Sequence, residues 1–276
     1  MNRLEGRVAV VTGAASGIGR ATSELLAREG CHVALCDRNE AGLAEPAAKI
    51  EAMGRRVSRH AVDVSSKERM RELADEVLRV HDGVNILVNN AGVTAVSTFE
   101  SQPLEDFEWL MSVNFWGVVY GCKFFLPALR RAEEGHIVNL SSVFGLMGVP
   151  MQSSYCSSKF AVRGFSEALR AELWGTRIGV TSVHPAGVAT NIASDARYAG
   201  QEASGNFRTA LVRDFATKML PPEKAAEQIV DGIRKNRARV LIARGSGAID
   251  FIQRLSPTLG SFIVPRVWRR MRAQQA

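Results

Sequence analysis

The chain has little of what staples or metallates a fold. Its 276 residues include four cysteines, at positions 31, 36, 122 and 156, with no C-x-x-C spacing. That sparseness excludes a disulfide framework and suits a reducing compartment. Five scattered histidines offer no ligand spacing, so no metal is expected. No apolar run approaches the ~18 residues that span a bilayer. No secretory signal stands before the first apolar strand, which follows directly on Gly6, and the expected location is cytoplasmic. Low-complexity linkers and internal repeats are missing too. What remains is a soluble chain long enough for one large α/β domain or two small ones.

Charge is unevenly placed. The net value is +7, but from Arg234 onward there are ten basic residues and one acid, Asp250, so residues 1–233 carry −2. A nucleic-acid surface normally lies on the folded body, and none is expected here.

Apolar runs alternate with helical patterns along the chain. Strands are predicted at 7–12, 31–36, 56–62, 84–88, 136–140, 177–183 and 240–243. The helices between them are predicted at about 40–53, 67–81, 104–131, 152–174 and 221–237, with a first one running through Arg28. Such alternation demands right-handed crossovers and a doubly wound parallel sheet with helices on both faces, a Rossmann-like α/β domain. His184 to Gly187 should break the sixth strand. Residues 190–220 read as irregular and lid-like. The expected division is a catalytic body over 1–246, including that lid, and a basic apolar extension over 247–276.

The first strand ends in a glycine-rich turn containing Gly13, Ser16, Gly17, Ile18 and Gly19. Gly13 permits a sharp turn, Gly17 lets backbone approach a pyrophosphate, and Gly19 allows close helix packing. Asp37 ends the second strand eighteen residues later. Its carboxylate either accepts from an adenosine ribose and repels a 2′-phosphate, favouring NAD, or caps the next helix. Arg38 could tolerate the phosphate, which keeps NADP open. Asn114 lies among apolar neighbours and has either a structural use or a place in a water network.

Ser141 and Ser142 arrive at the carboxyl edge of the sheet, and Tyr155 and Lys159 follow four residues apart on one helix face. A free phenol ionises near pH ~10, and a neighbouring ammonium is expected to lower that towards neutrality. The pair therefore reads as an acid/base centre.

Together these positions resemble the single-domain short-chain dehydrogenase/reductases over about residues 4–243. The match comprises Gly13, Gly17 and Gly19, Asp63, the run Asn89, Asn90, Ala91 and Gly92, then Asn114, Ser142, Tyr155, Lys159, and Pro185 through Thr190. The resemblance implies that Tyr155 is the general acid/base and that Lys159 lowers its pKa while binding the nicotinamide ribose. It implies that Ser142 orients the substrate oxygen and Asn114 holds a water leading from Lys159 to solvent. Asp37 would bind the adenosine ribose, Asp63 with Val64 the adenine side, and Asn90, Ala91 and Gly92 the cofactor or the central sheet. Pro185, Val188 and Thr190 would border the nicotinamide. A homotetramer or homodimer is implied as well. Ala186 departs from the glycine usual after the proline, and Cys156 from a small residue; its closeness to Tyr155 suggests a route for thiol modification.

The expected reaction is hydride exchange between NAD and a secondary alcohol or ketone, with Ser142, Phe144 and Tyr155 meeting the substrate. A wall of Val93, Ala95, Val96, Val143, Phe144, Met147, Met151 and Val188 would suit a hydrophobic substrate. Two other readings stand beside it: an NADPH-dependent 3-oxoacyl-thioester reductase, and a non-catalytic dinucleotide-binding scaffold. The extension reads either as packing on a subunit or over the cleft, or as peripheral contact with an anionic membrane.

Overall fold

A computed structural model describes residues 1, 3–200, 205–243, 245–256, 258, 264 and 266. Its strands are β1 (Val8–Thr12), β2 (His32–Asp37), β3 (Val57–Ala61), β4 (Ile86–Asn89), β5 (Ala95–Val96), β6 (Gly135–Leu140), β7 (Ile178–Pro185), β8 (Arg197–Tyr198) and β9 (Arg239–Ile242). Its helices are α1 (Gly17–Arg28), α2 (Ala44–Ala52), α3 (Lys67–His81), α4 (Leu104–Met111), α5 (Gly117–Arg131), α6 (Ser153–Glu172), α7 (Gly205–Lys218), α8 (Pro222–Arg234) and α9 (Ser246–Leu255).

All five residues of β1 are buried, as a strand covered on both faces requires. Alternation still sorts them: Ala9 and Val11 join one core and Val10 the other. Leu26, Ile50, Ile229 and Ile233, from α1, α2 and α8, fill the first core. Leu73, Phe125 and Val162, from α3, α5 and α6, fill the second. Helix α3 shows the local cause. Ser66 caps it by accepting from the Arg69 amide at 3.2 Å, and Met70, Leu73, Ala74 and Val77 recur on one buried stripe.

The main sheet is parallel throughout, in the order β3-β2-β1-β4-β6-β7-β9. The chain winds outward from β1 to β3, then returns to β4 on the other side of β1. A crevice opens at that reversal, beyond the carboxyl ends of the strands.

Four local expectations are modified. The predicted helix over 104–131 is interrupted by a π-helical turn, Ser112–Trp116, where Asn114 sits. Pro46 falls in the first turn of α2, where no helical amide is needed, so the chain begins that segment with a 3-10 turn, Ala41–Leu43. Strand β7 continues through His184 to Pro185, because proline at a strand end sacrifices only a terminal ladder bond. The stretch 190–220 contains β8, which pairs in parallel with β5, and also α7. Of the extension, residues 257, 259–263, 265 and 267–276 lie outside the described residues.

Candidate active site

The glycine-rich turn is held by backbone contacts that admit no side chain. Gly13 and Gly17 adopt φ of +67° and +53°, the left-handed region that favours glycine. A Cβ on Gly19 would lie 2.1 Å from the Gly13 carbonyl oxygen, so this glycine serves packing and does not line the cavity. Ser16 sits at the N-cap of α1 with no side-chain capping bond, leaving the first-turn amides and the positive end of the helix dipole for an anion. Gly13, Ser16, Gly17 and Ile18 border one cavity of about 410 Å³. This cradle fits the phosphates of a dinucleotide.

Asp37, Arg38, Asp63 and Val64 also line this cavity. Asp37 accepts from the Ala15 amide at 3.0 Å and the Asn39 amide at 2.9 Å, so its carboxylate braces two turns while facing the cavity. The capping role read from the sequence is not taken up, since the next helical turn has Glu40 at its N-cap, and each Asp37 oxygen keeps a further lone pair. Asp63 accepts from the amide and hydroxyl of Ser65, at 2.9 and 2.7 Å.

Asn90 ties β4 to β1. Its side-chain amide donates to the carbonyls of Thr12 and Gly13 at 2.9 and 3.2 Å, and the Thr12 hydroxyl accepts from the amides of Asn90 and Ala91. Of the sequence alternatives, the bond pattern serves the central sheet, with Asn90, Ala91 and Gly92 still on the cavity wall.

Ser142, Tyr155 and Lys159 converge where β6 and α6 meet. The Ser142 side chain stands near the Tyr155 phenol and lowers its pKa, and Phe144 stands edge-on to the phenol with ring centroids 6.1 Å apart. Ser142 Oγ also accepts from the Phe144 amide at 3.1 Å. Lys159 Nζ lies 5.6 Å from the centre of the phenol ring and donates to the Leu140 carbonyl at 2.9 Å. Burial dominates the electrostatics of both groups. It pushes the phenol up to about 12, against the lowering effect of Ser142, and pulls the ammonium down to about 8. The expectation that Lys159 brings the phenol towards neutrality is therefore corrected for the bare chain: burial is the largest influence, and the phenol is protonated at pH 7.

Asn114 is fully buried and stands outside the cavity wall. Its Oδ1 accepts from the Val93 amide at 2.8 Å, while Nδ2 donates to the Val93 carbonyl and to Ser158 Oγ, at 2.9 and 3.1 Å. The side chain thus clasps the strand end beside Gly92, whose added Cβ would lie 3.4 Å from Lys159 Nζ.

The predicted apolar wall is partly replaced. Val93, Val96, Phe144, Met151 and Val188 line the cavity, whereas Ala95, Val143 and Met147 do not. In β5 neighbouring side chains point to opposite faces, so only Val96 of that pair turns inward. Trp109 from α4 and Leu211 from α7 complete the wall, together with Pro185, Ala186 and Thr190. Cys156 is buried and burial pushes its thiol up, which disfavours the thiolate that modification needs.

His184 escaped the sequence reading, which took it for a strand breaker. It is fully buried, and burial lowers its pKa to about 4, so the ring is neutral at pH 7. Its Nδ1 lies 3.0 Å from the Ser142 carbonyl and its Nε2 2.9 Å from Ser182 Oγ. A neutral imidazole has one donor, and the carbonyl can only accept, so Nδ1 carries the proton. His184 thereby fixes the backbone of Ser142. Gln152 was missed as well; it accepts from Thr94 Oγ1 at 3.0 Å and donates to the Ala95 carbonyl at 3.2 Å, on the cavity wall just before α6.

Among the described residues no group of three or more His, Cys, Asp or Glu is arranged to hold a metal, and no helix is long and apolar enough to cross a membrane.

Comparison with known proteins places this geometry. Residues 7–200 match the model of the short chain dehydrogenase family. A Mycobacterium tuberculosis protein named as an oxidoreductase, SadH, is 41% identical over 257 residues, 92% of each chain. A Thermotoga maritima 3-oxoacyl-[acyl-carrier-protein] reductase, FabG, is 32% identical over 228 residues, 83% of this chain and 90% of that one. Among solved structures, a Burkholderia phymatum short chain dehydrogenase/reductase in complex with NAD superposes with a TM-score of 0.85, at 31% identity, covering 94% of this chain and 96% of that one. The chain belongs to the short-chain dehydrogenase family.

Proposed function

We propose that this oxidoreductase interconverts a hydrophobic secondary alcohol and its ketone, using NAD, with Tyr155 as the proton-transferring group. The observation that carries the reading is that Ser142, Tyr155 and Lys159 stand together on the wall of the cavity that also holds the glycine cradle. The Burkholderia relative was solved with NAD, and the cradle of this chain has the same family origin. Gly13, Ser16, Gly17 and Ile18 hold the phosphates, Asp37 the adenosine ribose, Asp63 and Val64 the adenine side, and Pro185, Val188 and Thr190 the nicotinamide. The bound dinucleotide supplies the hydride chemistry.

The rest belongs to the chain. Ser142 Oγ holds the substrate oxygen by hydrogen bonding, in a place fixed by the Phe144 amide and by His184 behind it. In the reduction direction the Tyr155 hydroxyl gives its proton to the carbonyl oxygen as hydride arrives at carbon. In oxidation the phenolate takes the hydroxyl proton back. The high phenol pKa of the bare chain suits the donor role at neutral pH.

Asp37 supports NAD over NADP, since its charge repels a 2′-phosphate. The alternative, an NADPH-dependent 3-oxoacyl-thioester reductase, draws on Arg38 beside it and on the Thermotoga relative. A scaffold without turnover is disfavoured, because Ser142, Tyr155 and Lys159 all line one cavity. Residues 1–246 act as the catalytic body, with Thr190, Ile192 and Leu211 of the lid-like stretch on the cavity wall, and exposed Trp116 and Phe160 support a homodimer or homotetramer. A panel of secondary alcohols and 3-oxoacyl thioesters, each assayed with NAD(H) and NADP(H), tests the reading. Turnover of apolar alcohols with NAD is expected; turnover confined to thioesters with NADPH contradicts it.

A further inference from the structure

Strand β8 is too short to hold itself in place. It offers two residues, Arg197 and Tyr198, to a parallel pair with Ala95 and Val96 of β5. The Arg197 amide donates to the Thr94 carbonyl at 3.2 Å and the Ala199 amide to the Val96 carbonyl at 3.4 Å. A ladder this small is marginal in water. Side chains supply the rest, because successive strand residues point to opposite faces. Tyr198 packs against a small apolar cluster of Val96, Met151 and Ala196, joined by Leu211. Arg197 turns towards α4.

There its guanidinium carbon lies 3.7 Å from the centre of the Trp109 ring, and Nη1 donates to Asp106 at 2.6 Å. Asp106 and Trp109 stand three apart on α4, so one approaching side chain can meet both. The carboxylate belongs to the first helical turn, where the helix dipole favours its charge, and its side chain is only 18% exposed. A planar, weakly hydrated guanidinium can stack on an indole while holding a carboxylate; an ammonium cannot lie flat in this way. Trp109 lines the cavity, as do Val96, Met151 and Leu211, whereas Arg197 and Asp106 do not. The ion pair therefore acts on the cavity only through the indole that it covers. Ordering a loose side chain weakens binding, and a clamp already in place removes that loss.

We propose that Arg197 is a positioning residue for substrate choice: held by Asp106 against the face of Trp109, it fixes the indole as an apolar wall that selects alcohols and ketones carrying an extended apolar substituent over short ones. The assignment rests on the reaction proposed above and names the substrate class within it. Selection comes from contact area, since each methylene that reaches the wall adds affinity while the proton and hydride steps at Tyr155 are untouched.

Two substitutions in the full chain test it. Arg197→Met keeps the stem but removes the stack and the ion pair, and Arg197→Lys keeps a charge for Asp106 without the flat stack. With NAD, wild-type kcat/KM should rise from isopropanol to nonan-2-ol. Arg197→Met should lose at least about tenfold on nonan-2-ol, through KM, and at most about threefold on isopropanol, with Arg197→Lys between. A second readout needs no turnover: acrylamide quenching of tryptophan emission should increase in Arg197→Met, and the increase should vanish when both chains carry Trp109→Phe. Equal losses on the two alcohols, a loss carried by kcat alone, or quenching unchanged by the substitution overturns the clamp. Failure to oxidise any of the alcohols contradicts the proposed reaction instead. The clamp is then read by titration calorimetry of nonan-2-one into the NAD-saturated protein, where wild type should bind at least about tenfold tighter than Arg197→Met. Equal or absent binding there overturns it.

Discussion

Lys159 Nζ reaches from α6 to the carbonyl of Leu140, the last residue of β6, and donates to it across 2.9 Å. The ammonium is thus a buried strut between helix and sheet, only 4% exposed.

Burying that charge has a pH signature. The folded pKa is about 8, down from 10.5, so between those values the unfolded chain binds more protons and stability rises with pH. Below about pH 8 the full penalty is present, on the order of 3 kcal/mol. Removing the charge in Lys159→Met should therefore produce a melting-temperature difference from wild type that depends on pH. The variant should gain relative to wild type at low pH, and the advantage should shrink as pH climbs from 8 to 10.5. Thermal melts across that range, without cofactor, check this; a pH-independent difference would contradict it.

Asp37 lines the cavity where the proposed adenosine ribose would sit. Replacing it with serine, which keeps a small acceptor but removes the charge, should raise the NADP-to-NAD ratio of kcat/KM by at least about tenfold. Steady-state assays with both cofactors measure the ratio. An unchanged ratio would mean that Arg38 or the backbone decides the preference.

Gly19 tests the cradle apart from the chemistry. A methyl group there meets the Gly13 carbonyl and the Asn90 side chain, at 2.1 and 2.4 Å. Gly19→Ala should cost about 1–3 kcal/mol in stability and weaken dinucleotide binding, as overpacking of a rigid backbone contact does. Denaturant melts and cofactor fluorescence titration read the two effects; a variant like wild type in both would contradict the packing role.

His184 positions Ser142 without touching substrate. His184→Phe keeps the bulk and removes the hydrogen bond to the Ser142 carbonyl, so kcat should fall about tenfold or more while dinucleotide affinity holds. His184→Asn, which retains a donor, should recover part of the loss. Equal loss in both variants would assign His184 to packing alone.

Much of this architecture is legible in the residues themselves. Val8 to Thr12, Cys31 to Cys36 and His136 to Leu140 are short apolar runs bounded by turns, and each became a strand of the main sheet. Gly13, Gly17 and Gly19 announce a cradle because no other residue tolerates those torsions and contacts. Tyr155 and Lys159 announce themselves by helical spacing. The unread parts depend on distant partners. Strands β5 and β8 have two residues each and pair across about a hundred positions, so neither has a periodicity to detect. The π turn at Asn114 shifts the helix register by a residue and hardly alters the apolar pattern. The raised phenol pKa follows from burial by Phe144 and its surroundings, which spacing alone could not weigh against the charge of Lys159.

The claim on which the account rests is that the Tyr155 hydroxyl moves the proton. Tyr155→Phe keeps the ring against Phe144 and deletes only that oxygen. Isothermal titration with NADH and single-turnover hydride transfer, measured on the same preparation, test it most directly. Dinucleotide affinity within about threefold of wild type, with hydride transfer slowed at least about 10³-fold, is the predicted result. Hydride transfer near the wild-type rate with cofactor bound would contradict it.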